Sequence, residues 1–466
     1  MKINKLFLPL TLFLAFLLRL PSLYEPNWYG DEGIYQIIGQ AMAAGRPLYQ
    51  GIWDNKPPLL YLIYMIFDGN QFYVRLLSLI FMLLTIAVFY FLAKRLFKNE
   101  KAVYLSSGLL AIVLASPFLE GNIANAENFM LLPILSAMYL VVETYKQRTL
   151  WPIFLSGLLL GTAFLLKIVA IFDLAAIIML FFTMFFFKNI KEWFGKSLSV
   201  SLGFAIPVFL TIIFFLISGG LSDLATAAFS QNVSYVGVQW LLFGKLLILA
   251  GFCFLVFLKR KKLSVQFLFI YFWLGFSTFN AFFGGRPWIH YLLVVLPAFC
   301  LLVALILEDK KLRTINIILV AILLILFGKN FWVYGKTLSY YTNFTAFLSG
   351  QKKEAEYQNF FDWYVARDYE VASYIRQNSD KNDTLFIWGD NAQIYALSRR
   401  LPAGRYTVAY HVTFYKSALW ETKEAIEREK PVFILSLRDD LPPMFIDTSY
   451  SLKTVLKGVN IYARRI

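Results

Sequence analysis

Cysteine and histidine are nearly missing from this chain, with two of each among 466 residues. Cys253 and Cys300 both lie inside apolar runs and no CxxC occurs, which excludes a disulfide framework; both read as small packing residues. His290 and His411 are too few and too far apart to form a cluster with metal-ligand spacing, and no Ser-His-Asp set stands out. No Walker A motif is present, so nothing points to ATP as a driving force. Charge is scarce as well. Only 16% of residues are charged and 59% are hydrophobic, against about 25% and about 45–50% in soluble domains. Internal repeats and low-complexity segments are absent.

What the sequence has is long apolar runs, about eleven of them, starting near residues 6, 73, 102, 128, 151, 169, 198, 240, 265, 291 and 315. The run Leu6 to Leu20 has no small-residue cleavage site behind it and many runs after it, so it reads as a retained first helix. A mainly α, polytopic helical membrane protein with about eleven transmembrane helices is expected. The net charge of +15 is not a nucleic-acid signal, because the basic residues sit in short clusters between apolar runs; no nucleic-acid partner is expected, only membrane lipids around the helices.

Those clusters fix an orientation. With the N-terminus in the cytoplasm, the inner connections carry sixteen basic residues, including Lys94, Arg95, Lys146, Arg148 and the run Lys259 to Lys262. The outer connections carry three: Arg46, Lys56 and Arg286. That asymmetry obeys the positive-inside rule. It places residues 21–72, as a first external loop of a transmembrane domain 1–334, outside the cell (cytoplasmic) membrane, and residues 335–466 with it. The tail differs in kind. DYEVASYIRQNS has helical spacing, TLFIW and PVFILSL read as buried strands, and KEAIEREK as a polar helix, which predicts a small extracytoplasmic α/β domain.

The stretch NWYGDEGIYQ in the first loop raises a chemical question. Asp31 opens a pattern, Ile34, Ile37, Ile38, Ala41 and Met42, that predicts a helix with one apolar face lying in the membrane interface. Gly45 and Pro47 stop it. Asp31 then suits an N-cap and Glu32 the positive end of the helix dipole, and pattern alone does not separate capping from chemistry. Further on, WDNKPPLLY holds Lys56 ahead of two prolines on a rigid bend; a lysine there also suits snorkelling to the interface. Arg19 ends the first run, Glu127 opens the fourth, Lys167 ends the fifth, and Arg286 and His290 flank the tenth. Singly each reads as an anchor. Together they put both charge signs at one depth, where an ionisable group costs about 2.5–3.5 kcal/mol on insertion scales, and that clustering marks a site.

The order DEGIYQ, WDNKPPLLYL, NAENFMLLP, GGRPWIHYLLVVLP resembles the bacterial branch of the C-type membrane glycosyltransferases, which includes relatives of the protein O-mannosyltransferases and of the lipid A aminoarabinose transferase. The tail stretch FIWGDNAQIYALSRRLP resembles the extracytoplasmic domain of that branch. The resemblance implies that Asp31, with its neighbour Glu32, acts on the acceptor. It implies that Lys56 contacts the donor phosphate, with Arg19, Lys167 or Arg286 adding charge. Asp54, Asn55, Glu127 and His290 are further candidates. In some relatives a glutamate implicated in divalent-metal binding directly precedes the lysine; here Asn55 stands there and Asp54 one place earlier, so the metal question stays open and no other cofactor is implied. The implied donor is a polyprenyl-phosphate-linked sugar, and the implied acceptor a hydroxyl on a glycan, lipid or protein. The competing class is a multi-pass transporter or lipid flippase, against which the missing repeat and the missing midplane acid pairs weigh.

Overall fold

Apolar runs become helices wherever the backbone has no other partner for its N–H and C=O groups, and this chain follows that rule. The computed structural model describes residues 3–231, 239–332, 334–415, 417–446 and 448–465. Packing divides the chain into two units. One comprises Met1–Ser22, Leu76–Leu221 and Ala228–Thr337; the other comprises Leu23–Arg75, Ser222–Ala227 and Leu338–Ile466.

The first unit is a helical bundle. Helices occur at all eleven expected positions, but among the described residues eight are long and apolar enough to cross a membrane unaided. The expectation of eleven is corrected to eight on that measure. The other three, Glu100–Ala115, Trp151–Phe164 and Leu296–Glu308, have 16, 14 and 13 residues. At about 1.5 Å per residue they reach roughly 20–24 Å, short of a ~30 Å hydrocarbon core. Their apolar sequence continues but their helix geometry does not. Short 3₁₀ turns at Pro117–Leu119, Ile168–Ala170 and Ile289–Leu293 adjoin them. Small residues bring the Trp151–Phe164 and Ile190–Ile217 helices into backbone contact. A Cβ on Gly157 would lie 2.1 Å from the Val200 carbonyl oxygen, and one on Gly203 2.1 Å from that of Phe154. Close approach of this kind is how helices gain contact in lipid, where burial of apolar surface gives no drive.

The second unit joins the first loop to the C-terminal segment. The helix expected at Asp31 runs Gly30–Ala43. It does not lie with one face free: Glu32 through Gly39 and Ala41 are all buried. Gly33 lets the Gln393–Ser398 helix approach, since a Cβ would sit 2.7 Å from the Gln393 nitrogen. Gly39 does the same for the Pro58–Ile66 helix, with Tyr64 carbonyl carbon 2.6 Å away. The apolar stripe was one contact face, and the glycines were the other.

The C-terminal part is built on a five-stranded sheet: β1 Thr384–Trp388, β2 Leu401–Pro402, β3 Phe433–Ser436, β4 Tyr450–Leu456 and β5 Val459–Arg464. The order is β2-β1-β3-β5-β4. The first two pairings are parallel and the last two antiparallel. TLFIW is β1 and FILS is β3, both buried on nearly every residue, which suits an interior parallel pair. Lys457 and Gly458, both at positive φ, turn β4 into β5. The expected helices form at Val365–Gln377 and Ala418–Glu429.

Candidate functional site

Two clusters of ionisable residues form, one in each unit. In the bundle, Asn125 caps the Ala126–Thr144 helix through its side chain, which accepts from the Ala126 N–H at 3.2 Å, and this sets Glu127 in the first turn. Glu127 pairs with Lys167. His290 Nδ1 lies 2.7 Å from a Glu120 carboxylate oxygen, and its Nε2 lies 3.8 Å from Glu127. The Lys167 ammonium also stands 4.3 Å from the centre of the Tyr291 ring. Glu120 has φ of 57°, a left-handed conformation that costs a non-glycine residue about 1–3 kcal/mol. Arg19 is fully buried and donates to Ser78 Oγ at 3.0 Å and to the Ile123 carbonyl at 3.2 Å. Arg286 is exposed. The bundle therefore brings Glu127, Lys167 and His290 together, recruits Glu120, and uses Arg19 as a tie between chain segments.

The second cluster answers the question raised by Asp31. The residue at the N-cap of its helix is Tyr29, which makes no side-chain capping bond, and Asp31 lies inside the helix. The capping reading fails on this geometry. Asp31 is half-buried and accepts a hydrogen bond from the Tyr35 hydroxyl one turn later, at 3.2 Å. The face of Tyr35 is 5.9 Å from the Lys56 ammonium. Asp31 and Lys56 are thus both polar neighbours of one aromatic residue. Glu32 is spent differently. It forms a two-pronged ion pair with Arg75, which also holds Glu25 at 2.9 Å, and all three side chains are buried. Glu32 is thus engaged with Arg75 on both of its carboxylate oxygens.

Lys56 is held by its backbone as well as its side chain. Its ammonium donates to the Asn55 amide oxygen at 2.9 Å. Its N–H donates to the Tyr61 hydroxyl at 3.1 Å, and its carbonyl accepts from the Tyr49 hydroxyl at 2.7 Å. Tyr61 in turn donates to Asp54 at 2.6 Å. Burial pushes both hydroxyls well above their usual value, so both stay protonated and serve as donors. Burial alone would raise the Asp54 carboxyl too; Lys56, His411 and the Tyr61 hydroxyl outweigh it and hold Asp54 below the usual carboxylate range. His411 Nε2 lies 3.5 Å from Asp54. Burial pulls His411 down to about 4 despite Asp54, so the imidazole is neutral at ordinary pH.

Sequence reasoning names Asp31, Glu32, Lys56, Arg19, Lys167, Arg286, Asp54, Asn55, Glu127 and His290. It missed Tyr35, Tyr49, Tyr61, Arg75, Glu25 and Glu120, and assigned no role to His411. A signal existed for two of them. Tyr35 follows Asp31 by four residues, one helical turn, and His411 is one of two histidines in the chain. Among the described residues no group of three or more His, Cys, Asp or Glu side chains is arranged to hold a metal ion.

A helical bundle together with a unit that joins the first loop to a C-terminal sheet is a fold that solved membrane-protein structures share. The chain is similar to the crystal structure of ArnT from Cupriavidus metallidurans bound to undecaprenyl phosphate, with a TM-score of 0.60 at 12% identity over 99% of this chain and 98% of that one. The apo form of the same protein gives 0.60 at 15% identity, over 97% of each. The archaeal oligosaccharyltransferase AglB from Archaeoglobus fulgidus, in complex with an inhibitory peptide and a dolichol-phosphate, gives 0.51 at 13% identity over 94% of this chain and 70% of that one. Residues 56–217 match the dolichyl-phosphate-mannose-protein mannosyltransferase family. No curated protein matches the chain.

Proposed function

We propose that this chain transfers a monosaccharide from a polyprenyl-phosphate carrier to an acceptor hydroxyl on the outer side of the membrane. The observation that carries the reading is the pairing of Asp31 and Lys56 around Tyr35. It sets a carboxylate not used as a helix cap beside a lysine clamped at its backbone. Asp31 takes the proton from the acceptor hydroxyl as its oxygen forms a bond to the anomeric carbon. The bond from that carbon to the phosphate oxygen breaks, and the electron pair leaves with the polyprenyl phosphate. Positive charge builds on the sugar in an oxocarbenium-like state, and Lys56 stabilises the departing phosphate. Direct displacement inverts the anomeric centre. Polyprenyl phosphates bound in two structures of the same fold support a donor of this class. Arg19 and Lys167 are committed to bonds inside the bundle, so Lys56 is the first choice for the donor phosphate.

The outer location of the C-terminal segment rests on the asymmetry of basic residues. It needs an odd number of crossings, which the three short helices would have to complete with their adjoining turns. A reporter active only in the cytoplasm, fused to the C-terminus, should stay silent; a bright signal refutes the orientation. The activity is tested by incubating the protein in nanodiscs with a set of polyprenyl-phosphate sugars and following loss of the sugar phosphate. Turnover with a nucleotide sugar and no lipid carrier would sink the donor assignment. Movement of the lipid across the bilayer without loss of sugar would make it a flippase.

A further inference from the structure

The Lys56 clamp does not end at the first loop. Arg46 and Trp53, in the stretch before Lys56, are tied to the end of β2 and the residues after it. Arg46 donates to the Pro402 and Gly404 carbonyls at 2.8 and 3.0 Å. The Trp53 N–H donates to the Arg405 carbonyl at 2.9 Å, and the Arg405 guanidinium lies 4.9 Å over the Trp53 ring. The next element is the short helix Ala409–Phe414, anchored by Ala409 N–H to the Gly389 carbonyl at 2.9 Å and by Tyr410 N–H to Asp390 at 3.2 Å. That helix carries His411.

The result is a buried chain of polar groups. His411 Nε2 faces Asp54, Asp54 accepts from Tyr61, and the Tyr61 oxygen accepts the Lys56 N–H. His411 and Asp54 are each 2% exposed and Tyr61 is fully buried. A neutral imidazole with Nε2–H toward Asp54 leaves Nδ1 as an acceptor, and Nδ1 is buried with no hydrogen-bond partner among the described residues. An orphaned buried acceptor is destabilising, because it has lost its water and gained nothing in exchange. The neighbours of His411 are polar, Asp54 and Lys56 among them, so the imidazole is placed by more than the space it fills. Tyr49, the other jaw of the clamp, is also held at a cost. It sits at φ of 68°, left-handed for a bulky side chain, while its hydroxyl holds the Lys56 carbonyl. Strain and an orphaned atom converge on one backbone position.

We propose that His411 is a positioning residue for the donor phosphate, acting through Asp54 and Tyr61 to fix Lys56. The C-terminal segment is then a working part of the donor site and not an appended module. This rests on Lys56 binding the phosphate, and the experiment separates the two statements.

Binding of a synthetic polyprenyl phosphate, without sugar, is measured on nanodisc-embedded full-length protein by intrinsic fluorescence or ³¹P NMR. The set is wild type, Lys56→Ala, His411→Leu, His411→Gln, Tyr61→Phe and the double variant His411→Leu/Tyr61→Phe, each checked for thermal stability. His411→Leu and Tyr61→Phe should each weaken binding about tenfold. Gln, which can return a donor toward Asp54, should recover most of it. The double variant should lose little more than either single one, because both cut the same chain. In turnover, donor KM should rise more than kcat falls. Normal binding by His411→Leu alongside a clear loss in Lys56→Ala overturns the positioning role alone. Normal binding by Lys56→Ala overturns both. If His411→Leu fails to fold, Tyr61→Phe, which removes one oxygen, decides the matter in the same way.

Discussion

The two units solve the same problem with the same residue types. Each gathers a lysine, carboxylates, a histidine and tyrosines. In the bundle, Lys167 is paired with Glu127, and His290 bridges toward a second acid, Glu120. In the other unit, Lys56 is placed by hydrogen bonds to its backbone, and its ammonium rests on an amide oxygen and a tyrosine face. Pairing side chain to side chain spends the charge inside the protein. Fixing the backbone sets where the ammonium stands. On the proposed function, the bundle cluster serves cohesion and the loop cluster serves chemistry.

The sharpest break in that comparison is between neighbours. Asp31→Asn should lower transfer about 10²–10⁴-fold, the usual contribution of a positioned base, with no measurable change in melting temperature, since Asp31 caps nothing. Glu32→Gln should do the reverse. It leaves Arg75 in a buried site with half its countercharge, so stability should fall by about 3–5 kcal/mol, read by thermal melting, with turnover reduced only as far as folded protein is lost. If Asn at 31 melts early and works normally, the assignment of roles is inverted.

Glu127→Gln tests the bundle in the same terms. It strands Lys167, whose side chain keeps 17% exposure, so the loss should be smaller, about 2–3 kcal/mol, and Glu127→Gln with Lys167→Met should restore part of it. Lys56→Ala should raise the donor concentration needed for half-maximal transfer about 10–100-fold, with melting little changed, and Lys56→Arg should recover only part, because a planar guanidinium does not reproduce the compact ammonium. A loss of stability in Lys56→Ala as large as that in Glu127→Gln would erase the distinction between the clusters.

The smallest effect is set by pH. A histidine in the unfolded chain takes its proton near 6.5, whereas His411 in the fold is held at about 4. Burial and Lys56 oppose the proton there; Asp54, Asp31 and Asp390 favour it. Between the two values the unfolded chain binds a proton that the folded one refuses. The stability of neutral His411 is therefore fully present above pH about 6.5 and is lost as pH falls toward 4. Asp54, held low in the fold, adds a further loss at lower pH still. His411→Gln should flatten melting temperature against pH in the window from about 6.5 to 4 and leave the lower limb in place.

How much of this was legible follows from how each contact is encoded. Asp31 and Lys56 announced themselves because charge is rare in this chain and a double proline is rarer. Glu127 and Lys167 were visible as charges at helix ends. The tyrosines were not, because 27 of them occur and each looks like the next. The helix at Gly30–Ala43 was placed within two residues, yet its environment was misjudged. Periodicity reports an apolar face, whereas Gly33 and Gly39, which mark the approach of two other backbones, look in sequence like weak helix formers. Eleven apolar runs stand in the sequence and eight long helices among the described residues, because hydropathy does not register a turn that breaks the hydrogen-bond ladder.

Lys56 and His411 are separated by more than 350 residues of chain. At synthesis rates of about 5–20 residues per second, the histidine emerges on the order of 20–70 s after the lysine. For that interval Tyr49 and Tyr61 are present to hold the Lys56 backbone, but the histidine that faces Asp54 is not. A donor arriving early meets a lysine whose clamp is not yet backed. On the proposed role of His411, competence to bind waits for the residues around it, and a chain cut short before them would bind its donor weakly.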